Sequence, residues 1–298
     1  MFLFYRHFSA IMNSVTEKEG TDMLEYVKNE LFALGIDTVG ALPIEKCNIA
    51  RQYKLKSKGL YSVGCLSVII FAIPYYTDHK HKNISSYCIP RDYHAYCREL
   101  FDTLLPKLEA RFEEYRFVGF ADDSPIDERS AAAMAGLGVI GDNGMLITEK
   151  YSSYVFLAEI ITDLPISTEG EYEIKRCEGC GICKKACPMS EIGQCLSALT
   201  QKKGELNADE IRAIEKYGYA WGCDLCQDLC PHTVKAKENG TIYTQIDFFK
   251  KDLTPVLTCE LLDKMSEEEF SQRAYSWRKT ETVKRNVLIL ENKKNLNI

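Results

Sequence analysis

Between residues 177 and 230 the chain places eight cysteines in two short runs, and their spacing constrains the fold more than any other feature. The first run is Cys177-x2-Cys180-x2-Cys183-x3-Cys187-Pro188. The second is Cys223-x2-Cys226-x3-Cys230-Pro231, which lacks the first cysteine of such a run; Cys195, upstream, supplies it. Three closely spaced thiolates cap three irons of one cubane, and the fourth cysteine of each run sits too far round and ligates the other cluster. The partition is then Cys177, Cys180, Cys183 and Cys230 for one cluster, and Cys187, Cys195, Cys223 and Cys226 for the other. Eight ligands serve two [4Fe–4S] clusters with none left over, the equipment of a protein that moves single electrons. A pair of structural zinc sites is the competing reading of paired cysteines. Zinc requires neither the third cysteine at the same spacing nor the interleaved tetrads. The remaining cysteines of the thirteen, Cys47, Cys65, Cys88, Cys97 and Cys259, show no ligand spacing and read as ordinary buried thiols.

The rest of the composition narrows the class. A hydrophobic share of 46% with 27% charged residues in 298 is that of an ordinary globular chain. No apolar run approaches the roughly 18–20 residues that cross a bilayer, so no membrane is expected. The opening MFLFYRHFSAI is interrupted by Arg6 and His7 and lacks a secretory cleavage pattern, which makes Met12 a candidate natural start. Without a secretory signal, CxxC groups point to metal rather than disulfides, and the expected location is the cytoplasm. A net charge of −6 argues against non-specific coating of nucleic acid, although a local basic patch remains open. Neither a GxGxxG behind a strand nor a P-loop is present, and there is no Asp-x-His-x-x-Gly run to place a histidine on cobalt.

Periodicity places a helix over Thr21–Leu34 (Met23, Leu24, Val27, Leu31, Leu34), stopped at Gly35. Apolar β-branched runs at Thr38–Leu42 and Leu66–Ile73 read as buried strands, and Arg116–Ala121 and Ser153–Thr162 as two more. Asp92–Tyr115 reads as an amphipathic helix kinked or restarted at Pro106. Ser124-Pro125-Ile126-Asp127 reads as a capping-box start with proline at the first helical position, opening a helix through to Gly136. An α/β or α+β domain over 1–165 is therefore expected, then a small cofactor-built domain over 166–240. A helical segment with a basic tail, 241–298, completes the chain; its Arg273, Arg278, Lys279, Lys284 and Arg285 face only Glu281 before Val287. Some 165 residues ahead of the clusters imply a second cofactor or a substrate.

The segment GFADDSPIDERSAAAMAGLGVIGDNGMLITEKYSSYVFLAEIITDLPI, the double cysteine run after it and PRDYH at Pro90–His94 before it together resemble the epoxyqueuosine reductases. These are cobalamin- and iron–sulfur-dependent enzymes of tRNA modification, related to reductive dehalogenases. The resemblance covers roughly Asp22 to Leu290. It implies a nitroreductase-like cobalamin-binding domain with no protein ligand on cobalt, followed by a bacterial ferredoxin-like double [4Fe–4S] domain. It further implies removal of the epoxide oxygen of epoxyqueuosine at the wobble base of tRNA, with the anticodon stem-loop as substrate and an external low-potential electron donor. The family's general acid is an aspartate thirteen positions before the alanine of AGLG, which is Asp122 here. Arg129 matches a basic position lining the same pocket, Leu146 and Leu157 fall where the backbone meets the corrin, and Tyr151–Tyr154 form the neighbouring strand entry.

The implied chemistry is coherent. Clusters deliver one electron at a time, whereas deoxygenating an epoxide takes two electrons and two protons, and low-valent cobalt supplies what side chains cannot. The opening alkoxide needs a proton, which a carboxylic acid kept neutral by burial can give. Asp123 is expected to raise the acid's pKa by like-charge repulsion. The plainer reading of Asp122 and Asp123 is a helix cap, and that of His94, a candidate for binding a cofactor tail, is a packed surface residue.

The chain departs from the family pattern in a loop of only seven residues between Cys187 and Cys195, in Asp142 where a basic residue is common, and in Ser152 where glycine is common. It ends at Ile298 without the helical-repeat extension that many members place against tRNA. The basic stretch Arg273–Arg285 is expected to be one helix and the candidate contact with the anticodon arm. Two alternatives stand beside this reading: a related cobalamin reductase for an organohalide or another epoxide, and an electron-transfer protein without catalysis of its own.

Overall fold

The computed structural model describes residues 20–61, 66–166, 171–189 and 194–296. The first eleven residues and Cys65 lie outside the described residues. The chain divides into two compact units, one built from residues up to 73 with 97–149 and 155–177, the other from 74–96, 150–154 and 178 onward.

The first unit is a mixed α/β structure whose sheet has the order β1 (Thr38–Pro43), β2 (Ser67–Pro74), β6 (Val155–Thr162), β3 (Phe117–Phe120). β1 pairs antiparallel with β2, with Gly40 opposite Ile70, and β3 antiparallel with β6, with Gly119 opposite Ile160. All of β2 is buried, which is why its sequence is a continuous apolar run rather than an alternating one. Alternate residues still serve different faces. Val68, Ile70 and Ala72 join Leu42, Ile44, Leu137 and the alanines of α4 (Glu128–Met134) in one core. Phe71 meets Phe101 edge-on, ring centroids 6.5 Å apart. Phe101 belongs to α3 (Tyr93–Arg111), which runs unbroken through Pro106. Two more helices, α1 (residues 20–33) and α2 (Gln52–Ser57), flank β1 in sequence; Met23, Val27 and Leu31 of α1 are fully buried. The short hairpin β4 (Val139–Ile140) with β5 (Leu146–Ile147) follows α4.

The AGLG segment has a physical explanation here. Gly136 sits at φ +81°, the left-handed conformation that ends α4 and that a side chain enters only at a cost of about 1 kcal/mol or more. A Cβ on Gly138 would stand 2.2 Å from the Ile147 carbonyl oxygen, so only glycine lets the chain enter the β4–β5 hairpin.

Among the described residues, strands end at Thr162. The second unit is assembled from short helices: α5 (Ile182–Ala186), α6 (Leu196–Thr200), α7 (Ala208–Tyr217), α8 (Leu225–Asp228), α9 (Pro231–Glu238), α10 (Cys259–Lys264), α11 (Glu267–Ser271) and α12 (Lys279–Leu296). Trp221 and Tyr275 are fully buried and anchor a core with Ile84, Leu257, Val283 and Val287. A smaller cluster of Met189, Leu196, Leu199, Ile214 and Tyr219 lies beneath the cysteine loops. Buried Asn286 of α12 donates to the Thr200 and Ala220 carbonyls at 2.6 and 2.8 Å, fixing that helix. No helix among the described residues is long and apolar enough to cross a membrane.

The basic tail differs from the single helix expected. α11 is separate, a 3-10 turn spans Ser276–Arg278, and Lys279 at φ +65° starts α12. Three of its five cations are engaged inside the unit: Arg273 donates to the Asp252 carbonyl at 2.6 Å, and Lys284 pairs with Asp263. Arg285 donates to the Lys202 carbonyl at 2.9 Å and also to that of Gly204. A charge pattern read along one chain cannot register these carbonyl acceptors, which lie in remote loops.

Candidate functional site

In the second unit the two cysteine runs lie side by side, because α5, carrying Cys183, packs against α8, carrying Cys226. Cys226 is in electrostatic reach of Cys195, Cys187 and Cys183, and Cys223 of Cys226 and Cys195. Burial first, then the neighbouring thiols and Asp224, push Cys223 up to about 12; burial and the thiols of Cys195, Cys187 and Cys183 push Cys226 up to about 11. Such crowding favours a cation that replaces the protons. Cys230 is buried and stands at the N-terminus of α9, with Pro231 in the first turn, where a missing N–H costs nothing. His232, two residues on, meets Glu178 at 2.9 Å, which ties the end of the second run to the loop between Cys177 and Cys180. Cys177 closes the first unit, its N–H donating to the Ile140 carbonyl at 3.1 Å. Cys180 and Cys195 are exposed, whereas Cys177, Cys183, Cys187, Cys223 and Cys226 are half-buried. Among the described residues no three His, Cys, Asp or Glu side chains converge on a single ion position. Each thiolate of a cubane binds a different iron, so its ligands do not converge as those of one ion do. A thiolate set of this kind fits iron–sulfur clusters. Of the cysteines outside the runs, Cys88 and Cys97 are buried and Cys47 and Cys259 half-buried.

A charge network flanks Cys223 and Cys226, and sequence reasoning missed it. Asp224 is fully buried, and its carboxylate accepts from Lys82 at 2.5 Å, from the Ser86 N–H and hydroxyl at 2.8 Å each, and from the Ser85 hydroxyl. Asp228 accepts from Tyr154 and Lys237 at 2.8 Å each. Burial and the two aspartates act in opposite senses on Lys82, and the net effect raises it, so the ammonium is retained.

In the first unit Asp122 is exposed rather than buried as expected of an acid kept neutral, because it stands on a surface loop at φ +62°, an unusual conformation for a residue with a side chain. Its N–H donates to Glu128 Oε1 at 3.1 Å. Asp123 has cationic partners that the sequence did not mark. Arg51 at 2.6 Å and Lys54 hold it, and the Lys54 hydrogen bond leads in keeping its carboxyl below the usual range. Asp122 opposes this by the like-charge repulsion expected of the pair, and the two cations outweigh it. The cap is also displaced: α4 starts at Glu128, and Asp127 caps it by accepting from Ser130. Ser124 is diverted inward, where its hydroxyl donates to fully buried Glu159 on β6 and accepts from the Ile126 N–H at 3.0 Å. A lone glutamate inside the apolar strand VFLAEIIT was the signal for this arrangement.

Arg129 is exposed and donates to the Gly144 carbonyl at 2.9 Å, with Asp127 at 3.9 Å. Leu146 on β5 is buried, and half-exposed Leu157 on β6 packs against the core with Val155, Phe120 and Ile140. These half-exposed apolar side chains suit the edge of a large flat macrocycle. In the second unit His94 opens α3; both its N–H, at 3.0 Å, and its ring Nδ1, at 2.7 Å, meet Asp92 Oδ1. Tyr151 and Tyr154 are buried just ahead of β6.

Residues 60–123 match the family described as Epoxyqueuosine reductase QueG, DUF1730. The epoxyqueuosine reductase of Gloeobacter violaceus is 32% identical over 222 residues, 70% of this chain and 69% of the relative. A crystal structure of a selenomethionine-labelled epoxyqueuosine reductase superposes with a TM-score of 0.69 at 25% identity, over 92% of this chain and 81% of that one. An epoxyqueuosine reductase solved with a tRNA-Tyr epoxyqueuosine-modified stem loop has the same TM-score and coverage at 24% identity.

Proposed function

The chain belongs to the epoxyqueuosine reductase family, and from that premise we propose how its own residues serve the reduction of epoxyqueuosine to queuosine in tRNA. The observation that carries the reading is the identity with the Gloeobacter enzyme over more than two thirds of both chains. Overall, the epoxide takes up two electrons and two protons; the oxygen leaves as water and the ring carbons regain their double bond.

In this proposal Cys177, Cys180, Cys183 and Cys230 hold one [4Fe–4S] cluster, and Cys187, Cys195, Cys223 and Cys226 the other. The second unit is the ferredoxin-like part and the first the nitroreductase-like part. Bound cobalamin supplies the low-potential two-electron chemistry that no side chain provides. Leu146 and Leu157 would give it an apolar wall and Arg129 a polar edge. Asp122 donates the proton that the opening C–O bond demands, and its exposed position allows water to reload it between turnovers. An external low-potential donor feeds the clusters, and the anticodon stem-loop carries the substrate.

The test is Asp122→Asn, which keeps shape and polarity but has no acidic proton. With iron and cobalamin content unchanged, single-turnover conversion of an epoxyqueuosine stem-loop should fall by roughly 10²–10⁴-fold, the usual contribution of a positioned acid. Conversion within threefold of wild type would remove Asp122 from that role.

A further inference from the structure

Two carboxyl groups lie behind the Asp122 loop, and the reaction as described leaves both unused. Glu159 has no exposed surface, lies mid-strand on β6, and its Oε1 accepts from Ser124 of the same loop. Its Oε2 is buried and, counted as an acceptor, has no donor. The Glu128 carboxyl from α4 is its acidic neighbour. Two neighbouring carboxyl groups hydrogen-bond only when one carries a proton, and a proton on the buried Oε2 would turn it from an acceptor without a donor into a donor toward Glu128. Glu128 Oε1 remains as acceptor for the Asp122 N–H, at 3.1 Å. The chain Glu159–Glu128–Asp122 thus runs from the centre of the sheet to the left-handed residue at the surface.

We propose that Glu128 and Glu159 form a latch on the acid loop: Glu128 is a positioning residue that holds the Asp122 backbone, and Glu159, braced by Ser124, holds Glu128. The inference rests on the reading of Asp122 as the acid for its catalytic meaning, but the latch itself is a property of the first unit. A non-glycine residue at φ +62° needs an anchor, and the Glu128 carboxylate provides one at the peptide N–H itself. The groups acting on the pair are all acidic or neutral. Asp122 and Asp127 face Glu128, and Ser124 faces Glu159 together with the Cys47 thiol. Burial, more than these charges, raises Glu128 to about 7 and holds Glu159 well above the usual carboxyl range. Glu128 is therefore the member that ionises near neutrality, and it is the stronger acceptor once it does.

Hydrogen exchange at the Asp122 amide, measured on the full chain without its cofactors, reads the latch directly. Corrected for intrinsic rates, protection should rise between pH 6 and 8 in the wild type as Glu128 ionises. Glu128→Ala should speed exchange at least tenfold, whereas Glu128→Gln, which keeps an acceptor oxygen, should retain most of the protection and lose its pH dependence. Glu159→Gln preserves the bonds to Ser124 and Glu128 and should stay protected, while Glu159→Leu should not. In cofactor-loaded protein, Glu128→Ala should lower the single-turnover rate by at least tenfold with the stem-loop Kd within twofold, and Glu128→Gln should restore it. Equal exchange at Asp122 in Glu128→Ala and wild type would overturn the latch and leave the proposed function standing. Altered exchange with no epoxyqueuosine conversion by any form would overturn the function and leave the latch.

Discussion

Removing the lysine that faces Asp224 should expose how much the second unit depends on one ion pair. Lys82→Met keeps the aliphatic stem and deletes the ammonium 2.5 Å from a carboxylate with no exposed surface. At an effective dielectric of about 20, two unit charges at that separation attract by roughly 6–7 kcal/mol, before desolvation is subtracted. Ser85 and Ser86 continue to donate to the orphaned carboxylate, so it is not stripped of partners. Breaking a buried pair by one member costs about 3–5 kcal/mol, and the surviving donors place Lys82→Met near the lower end, at about 3 kcal/mol. Both tryptophans of the chain, Trp221 and Trp277, lie in the second unit, so tryptophan fluorescence during anaerobic denaturant unfolding follows this unit. Asp224→Asn alone should also destabilise, but the double substitution should cost at least ~1.5 kcal/mol less than the sum, the signature of direct coupling. Iron content, measured in parallel, should be retained at low denaturant. A Lys82→Met cost below about 0.5 kcal/mol, or additivity in the cycle, would refute a strongly coupled buried pair.

Three further outcomes follow from the same structure. Anaerobically purified protein should contain about eight irons per chain, and Cys230→Ala should damage the cluster held by Cys177, Cys180 and Cys183 although Cys230 lies in the other run; stoichiometric zinc without sulfide would contradict this. Asp123→Asn breaks only exposed pairs with Arg51 and Lys54 and should leave turnover within threefold, so a larger loss there than in Asp122→Asn would place the acid one residue later. Arg285→Ala should destabilise the second unit by about 1–3 kcal/mol through its lost carbonyl contacts, with the salt dependence of stem-loop binding unchanged; a flattened salt slope would return this arginine to an RNA-contact role.

Much of the fold was legible because it rests on local pattern. Apolar runs placed all four strands of the main sheet within two residues, and helical spacing placed α1 and α3. The cysteine arithmetic needed only loop lengths, because the spacing that suggests each tetrad is written in the sequence itself. What stayed hidden depends on partners far apart in sequence. Lys82 and Asp224 are 142 residues apart, and nothing local marks them as a pair. Ser124 was read as a cap because serine before proline usually is one; buried Glu159, 35 residues on, draws its hydroxyl inward instead and leaves the cap to Asp127. Asp123 was read as a repulsive neighbour, and Asp122 does repel it, but the cations that outweigh this repulsion, Arg51 and Lys54, lie some seventy residues earlier. The tail looked like a free basic helix for the complementary reason: backbone carbonyls, which carry no sequence signal, absorb Arg273 and Arg285.

The most direct measurement is nucleoside mass analysis of a synthetic epoxyqueuosine anticodon stem-loop after incubation, under reduction and without air, with protein reconstituted with iron, sulfide and cobalamin. The account predicts conversion to queuosine, a mass loss of one oxygen atom, that requires both cobalamin and intact clusters. Conversion that proceeds undiminished without cobalamin, or an unchanged stem-loop from protein loaded with all its cofactors, would contradict it.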